Sequence, residues 1–200
     1  MLYVISGPSG CGKSTLARRI LSELDNLDFS VSHTTRKKRR SEQDKKDYYF
    51  VSKAEFERMI RADRFAEWAK VHGQYYGTSK REVEMKGGKK DLLLDIDVQG
   101  ALQIKEKYKK AIFVFILPPL YKELKERLEK RGDESARAVE RRLETAKKEI
   151  RAYPEFDYVV INDDLEKAVK ELVSIILSIR CELNERQKEI VPILRSFSEE

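Results

Sequence analysis

Residues 7–15 read Gly-Pro-Ser-Gly-Cys-Gly-Lys-Ser-Thr and follow directly on the apolar run Leu2-Tyr3-Val4-Ile5. The spacing G-x-x-x-x-G-K-[ST] between a strand and a helix is that of a phosphate-binding loop. It constrains the fold strongly. The glycines must let several N–H groups curl inward, and the next helix must aim its positive end at the bound anion. A helix is expected from Lys13 to about Leu24, with Leu16, Ile20, Leu21 and Leu24 on one face. The whole loop (Gly7, Pro8, Ser9, Gly10, Cys11, Gly12, Lys13, Ser14 and Thr15) is assigned to a nucleoside triphosphate. Lys13 would reach the outer phosphates, and the Ser14 hydroxyl would face Mg²⁺. Cys11, inside the loop at a helix N-terminus, has two readings: a thiolate favoured by the helix dipole, or a small residue chosen only for fit.

Apolar runs at 2–5, 92–96, 112–117 and 158–161 read as buried parallel strands, with Phe29-Ser30-Val31-Ser32 as a fifth. Helical patterns alternate with them: 99–109, a Leu120/Leu124/Leu128 repeat, and Leu165, Val169, Leu172, Val173 and Ile176. This alternation predicts an α/β fold, a three-layer phosphate-loop core with a parallel sheet. Two stretches break it. Residues 33–90 are polar and aromatic, with strand-like pieces near 48–51 and 65–69 and a helical piece at 53–62. Residues 126–154 are helical and arginine-rich. Both read as insertions on the core.

Charged residues make up 38% of the 200-residue chain, and the net charge is +6. The basic residues carry no nucleic-acid motif, and an enzyme handling two polyanions needs such an excess, so no nucleic-acid partner is expected. No apolar run is long enough for a membrane span. The two cysteines form no disulfide framework, so a cytoplasmic location is expected. His33 and His72 lack acidic or Cys neighbours at metal spacing and read as structural. In Leu92-Leu93-Leu94-Asp95-Ile96-Asp97, Asp95 ends a buried strand, where an aspartate of a phosphate-loop enzyme holds Mg²⁺.

The blocks S-V-S-H-T-T-R (30–36), D-Y-Y-F-V-S (47–52), F-A-E-W-A-K-V-H-G-Q-Y-Y-G-T (65–78), L-L-L-D-I-D-V-Q-G (92–100), E-K-R-G (129–132), R-R-L (141–143) and V-I-N-D-D-L (160–165) resemble guanylate kinase, from residue 2 to about 180. The resemblance implies transfer of the γ-phosphoryl of ATP to GMP, with Mg²⁺. It implies a core (1–32, 91–125 and 155–180), a GMP-binding insertion (33–90) and a helical lid (126–154). The tail at 181–200 lies beyond it, with no role assigned, and monomer and homo-oligomer both stay open. So does use of dGMP.

The same resemblance assigns Arg36, Arg39, Tyr48 and Tyr76 to the GMP phosphate, and a planar guanidinium suits two phosphate oxygens at once. Lys13 and the lid residues Arg131 and Arg142 would neutralise the transferring phosphoryl; Arg137 and Arg141 read as surface charges, although the tandem Arg141-Arg142 leaves the lid assignment open by one position. Asn162 falls on the ATP side. Glu67 would accept from guanine N1–H and N2–H, with Asp97 supporting that edge and Ser32 and Thr78 near O6. Adenine offers no such donor pair, so it would leave the carboxylate unsatisfied. Two alternatives, another nucleoside monophosphate kinase and a non-catalytic module of the same family, are opposed by the Glu67/Asp97 set and by Lys13, Ser14 and Asp95 respectively. The stretch Lys38-Arg39-Arg40-Ser41-Glu42 replaces the family's usual Pro-Arg-Pro-Gly-Glu, and Lys45 stands at a usual glycine.

Overall fold

The structure, a computed structural model, describes residues 1–40, 42–87, 90–130 and 136–197. Along the chain, β1 (Leu2–Ser6) leads to α1 (Lys13–Glu23) and β2 (Leu27–Phe29). There follow β3 (His33–Thr34), β4 (Tyr49–Phe50), α2 (Lys53–Arg61), β5 (Phe65–Val71), β6 (Gln74–Ser79) and α3 (Lys80–Gly87). Next come β7 (Asp91–Asp95), α4 (Val98–Lys107), β8 (Ile112–Leu117), α5 (Tyr121–Glu129) and α6 (Ala136–Glu149). After a 3₁₀ segment, Ile150–Glu155, the chain ends in β9 (Tyr158–Ile161), α7 (Leu165–Arg180) and α8 (Leu183–Ser196).

The first sheet is parallel, in the order β2-β7-β1-β8-β9. Its central strands β1, β7 and β8 are apolar on both faces because both are covered. Tyr3, Ile5, Leu93, Val114 and Ile116 point to the layer of α1 and α7, meeting Leu16, Ile20, Val169, Leu172 and Ile176. Val4, Leu92, Leu94 and Phe113 point the other way, to Val83 of α3 and Ala101 and Ile104 of α4. Every strand carboxyl end, including that of β1, therefore opens on one rim, where such sheets bind ligands.

The second sheet, β4-β3-β6-β5, is mixed: β3 and β4 run parallel, and β6 is antiparallel to both β3 and β5. Its outer helix α2 starts at a serine N-cap, where the Ser52 hydroxyl accepts from the Glu55 N–H. Phe56 of α2 stacks on Phe65 and Tyr75, at ring-centre distances of 4.4 and 5.2 Å. A third cluster joins Leu124 and Leu128 of α5 to Val139, Leu143 and Ala146 of α6.

Three differences from the sequence expectations have physical reasons. The second core strand ends at Phe29 instead of spanning 29–32, although Ser30 N–H still bonds to Leu93 C=O at 2.9 Å. Strands β3 and β6 carry mixed polar and aromatic residues paired across more than forty positions, such as His33 with Gly77, so no local pattern announces them. Lys45, at the family's usual glycine, keeps a left-handed backbone with φ +63°, a conformation that costs a non-glycine residue about 1–2 kcal/mol.

Candidate active site

The phosphate loop joins β1 to α1 on the rim. Gly12 has φ +101°, and a Cβ there would lie 2.3 Å from Asn162 Nδ2. At Gly7, φ +141°, a Cβ would meet the Ile116 carbonyl at 2.2 Å. Neither position admits a side chain. The Asn162 amide donates to the Cys11 carbonyl at 2.7 Å, bracing the loop from behind. Arg127 adds to the brace, donating to Asn162 C=O at 2.9 Å and Cys11 C=O at 3.5 Å. Thr15 continues the loop into α1, its N–H bonded to Gly12 C=O.

Lys13 turns back over the loop and donates to the Gly7 carbonyl at 2.7 Å and the Pro8 carbonyl at 3.3 Å. Burial opposes its charge, yet nearby negative groups, among them the carboxylates of Asp95, Glu149 and Asp97, outweigh that and hold the ammonium above the ordinary lysine range. Of the two readings of Cys11, the small buried residue fits. Its side chain is fully buried, and desolvation pushes the thiol up despite the nearby Lys13, so it stays protonated. Position at a helix N-terminus does not make a thiolate when water is excluded.

On the outer side of the loop the Ser14 hydroxyl donates to Asp95 Oδ2 at 2.8 Å. Arg142 is buried against the loop and donates to Ser9 Oγ at 2.6 Å, whereas Arg141 and Arg137 are exposed. Arg131 lies outside the described residues. Glu149, the last residue of α6, brings a carboxylate towards the same loop. Burial raises its pKa, with Lys13, the Ser9 amide and Arg142 working the other way.

Across the rim lies a second half-site. Arg36 makes a bidentate pair with Glu42, at 2.7 and 3.0 Å, under the rings of Tyr48 and Phe50. Glu42 also accepts from the Arg39 N–H, and the half-exposed Arg39 guanidinium lies 4.0 Å from the same carboxylate. Tyr48 and Tyr76 meet edge to face. Burial first, then the charge of Asp95, raises the Tyr48 phenol above its usual range, so both protonation and hydroxyl donation persist at neutral pH.

Deeper in, the Ser32 and Thr78 hydroxyls lie 3.3 Å apart, and Thr78 N–H donates to Glu67 Oε1 at 2.7 Å. Glu67 is 2% exposed. Desolvation lifts its carboxyl to about 7; the charge of Asp97 adds to this, and the Thr78 hydrogen bonds resist it. Its Oε2 rests against Gly100, where a Cβ would come within 2.4 Å. Asp97 caps α4, accepting from the N–H groups of Gln99 and Gly100 at 2.8 and 3.2 Å, and burial raises its pKa.

A phosphate loop faced by arginines, and beyond them a buried carboxylate beside two hydroxyls, form a two-ligand cleft. The guanylate kinase family model matches residues 1–179. The chain belongs to the guanylate kinase family. It is 48% identical over 190 residues to the guanylate kinase of Thermotoga maritima, covering 94% of this chain and 92% of that protein. It is 44% identical to that of Caldanaerobacter subterraneus subsp. tengcongensis, covering 99% and 96%. The crystal structure of guanylate kinase from Anaplasma phagocytophilum superposes with a TM-score of 0.75 at 33% identity, over 91% of this chain and 87% of that one.

Four residues near the guanylate kinase cleft had no role in the sequence reading. Glu42 and Gly100 sat inside or beside family blocks, and a glycine on the N-terminal turn of a helix was a readable sign of close approach. Arg127 and Glu149 carried no sign at all, since each meets the loop across more than a hundred positions.

Proposed function

We propose that this cleft transfers the γ-phosphoryl of ATP to GMP, giving ADP and GDP, with the phosphate loop holding ATP and the four-stranded sheet holding GMP. The observation that carries the acceptor assignment is the buried Glu67 carboxylate beside Ser32 and Thr78. Ionised, it accepts the two donors of the guanine edge. Asp97 supports the same edge from the α4 cap.

The GMP phosphate, with a second pKa near ~6, is already mostly dianionic at pH 7, so the attacking oxygen needs no strong base. The chain's task is to align two anions and offset their repulsion. Arg36, held flat by Glu42, presents its remaining guanidinium edge to the GMP phosphate with Arg39, Tyr48 and Tyr76. Lys13, protonated, and Arg142, buried at Ser9, supply positive charge where the phosphoryl group passes. Arg131 joins them in the family's pattern.

Ser14 and Asp95 form a pair of hard oxygen donors 2.8 Å apart, a set that fits Mg²⁺. Among the described residues no group of three or more acidic, His or Cys side chains is placed to hold a metal ion by itself, and Mg²⁺ commonly keeps several waters and phosphate oxygens as ligands. When bound, the ion supplies charge neutralisation to the phosphate oxygens. Two free cysteines fit a reducing cytoplasm, and no helix among the described residues is long and apolar enough to cross a membrane.

The test is ADP release measured with GMP, AMP, CMP and UMP as acceptors, for the native chain and for Lys13→Ala. GMP alone should support rapid turnover, and Lys13→Ala should lose several orders of magnitude in kcat. Comparable turnover with AMP would remove the acceptor reading, and near-normal turnover in the variant would remove the donor reading.

A further inference from the structure

Strand β5 lies at the edge of the four-stranded sheet. Its outward backbone groups have no strand beside them, and its register is irregular between Phe65 and Glu67. An irregular edge strand is a poor mount for a group that must discriminate bases by hydrogen-bond direction.

Helix α4 supplies what the missing strand would. The Gln103 side chain spans Trp68 as a neighbouring strand would, with Oε1 accepting from Trp68 N–H at 3.2 Å and Nε2 donating to Trp68 C=O at 2.8 Å. One turn on, Lys107 Nζ donates to the Ala66 carbonyl at 2.6 Å. One turn back, Gly100 gives room to Glu67 Oε2. Positions 100, 103 and 107 are spaced three and four apart and share one helix face. They meet three consecutive residues, 66 to 68. In a strand, residues 66 and 68 turn their backbone groups to the same edge, and residue 67 turns its own towards β6. Ala66 and Trp68 are therefore anchored on either side of Glu67.

We propose that Gln103 is a positioning residue for acceptor specificity: its amide completes the open edge of β5 and so fixes the direction of the Glu67 carboxylate. Lys107 assists from the next turn. The proposal rests on Glu67 reading the guanine edge. A side chain that merely packed α4 against β5 would change stability and would treat both substrates alike. One that aims Glu67 changes GMP kinetics selectively.

The experiment uses the full chain and steady-state kinetics with GMP and ATP varied separately. Gln103→Met keeps length and volume but makes neither hydrogen bond. KM for GMP should rise roughly 10- to 100-fold, the range expected when a reading group is misplaced by about 1 Å, with KM for ATP within about twofold. In a Glu67→Gln background the same substitution should change KM for GMP by less than about twofold, because the group it aims is already disabled.

An unchanged KM for GMP in folded Gln103→Met overturns the proposal. So does an equal rise in both KM values, or a full effect that persists in the Glu67→Gln background. If Gln103→Met does not fold, Lys107→Met decides. A selective rise in KM for GMP of threefold or more supports the clasp, and no selective rise overturns it. Glu67→Gln alone separates the two levels of argument. If it leaves GMP kinetics intact, the base reading fails; if it impairs GMP while Gln103→Met does not, the clasp fails and the base reading stands.

Discussion

Replacing Glu67 by Gln tests the guanine reading in kinetics and in stability, with opposite signs. The carboxylate is 2% exposed and its pKa is lifted to about 7, chiefly by burial. Guanine's two donors require the ionised form. With that pKa the binding competent fraction is about one in eleven at pH 6, a half at pH 7 and nine-tenths at pH 8. KM for GMP should therefore rise roughly tenfold from pH 8 to pH 6, beyond the roughly twofold loss from protonating the GMP phosphate itself. In Glu67→Gln one acceptor becomes a donor facing donors, at about 1–3 kcal/mol for the lost bond and again for the clash. At pH 8, kcat/KM for GMP should fall roughly 10²- to 10⁴-fold, KM for ATP should hold, and the excess pH dependence should vanish.

Without ligand the sign reverses. A carboxyl whose folded pKa is raised binds its proton more tightly in the native state, so stability falls as pH climbs from the unfolded value of 4.5 to about 7. Above that the cost levels off at about 3 kcal/mol, from ~1.36 kcal/mol per unit. The Gln variant should thus melt higher at pH 8, by up to roughly 10 °C, and differ by about 1 kcal/mol or less at pH 5. Calorimetry at both pH values, beside the kinetics, reads both effects. If GMP kinetics survive the change, or if the native KM follows the variant's pH profile, Glu67 does not read the base.

Two further predictions concern the phosphate loop. Gly12→Ala drives a methyl to within 2.3 Å of Asn162 Nδ2 at a left-handed backbone position, so kcat/KM for ATP should drop at least roughly 10²-fold while calorimetric GMP binding persists; an ATP site unaffected by that methyl contradicts the tight approach. Iodoacetamide at pH 8 should label exposed Cys181 in the folded protein and reach buried, protonated Cys11 only after denaturation. Mass-spectrometric labelling of both at similar rates would show that Cys11 is not shielded.

The parallel sheet was legible because its central strands are buried on both faces, and runs such as Ile112–Leu117 carry almost no polar residue. The strands β3 and β6 were not, because their residues face a polar cleft on one side and depend on partners forty positions away. Groups that would touch substrate sat in dense motifs, Gly7 to Thr15 and Phe65 to Thr78, and could be read off directly. The groups that hold them could not. Glu42 behind Arg36, Arg127 behind the loop and Gln103 beside β5 act through contacts that only the folded chain creates.

The contact between Glu67 and Gly100 has an evolutionary consequence. The space beside the carboxylate exists only because position 100 has no side chain, and a methyl there would stand 2.4 Å from Oε2. A side chain at position 100 therefore requires the Glu67 carboxylate to move. If Glu67 reads the base as proposed, a shift to another base requires a new residue at 67, and a shorter one would leave a void over the bare glycine. Each single step passes through a chain that either crowds its old acceptor or fits its new one loosely. Under the proposed base reading, the acceptor preference is tied to a contact between a strand and a helix 33 residues apart in sequence.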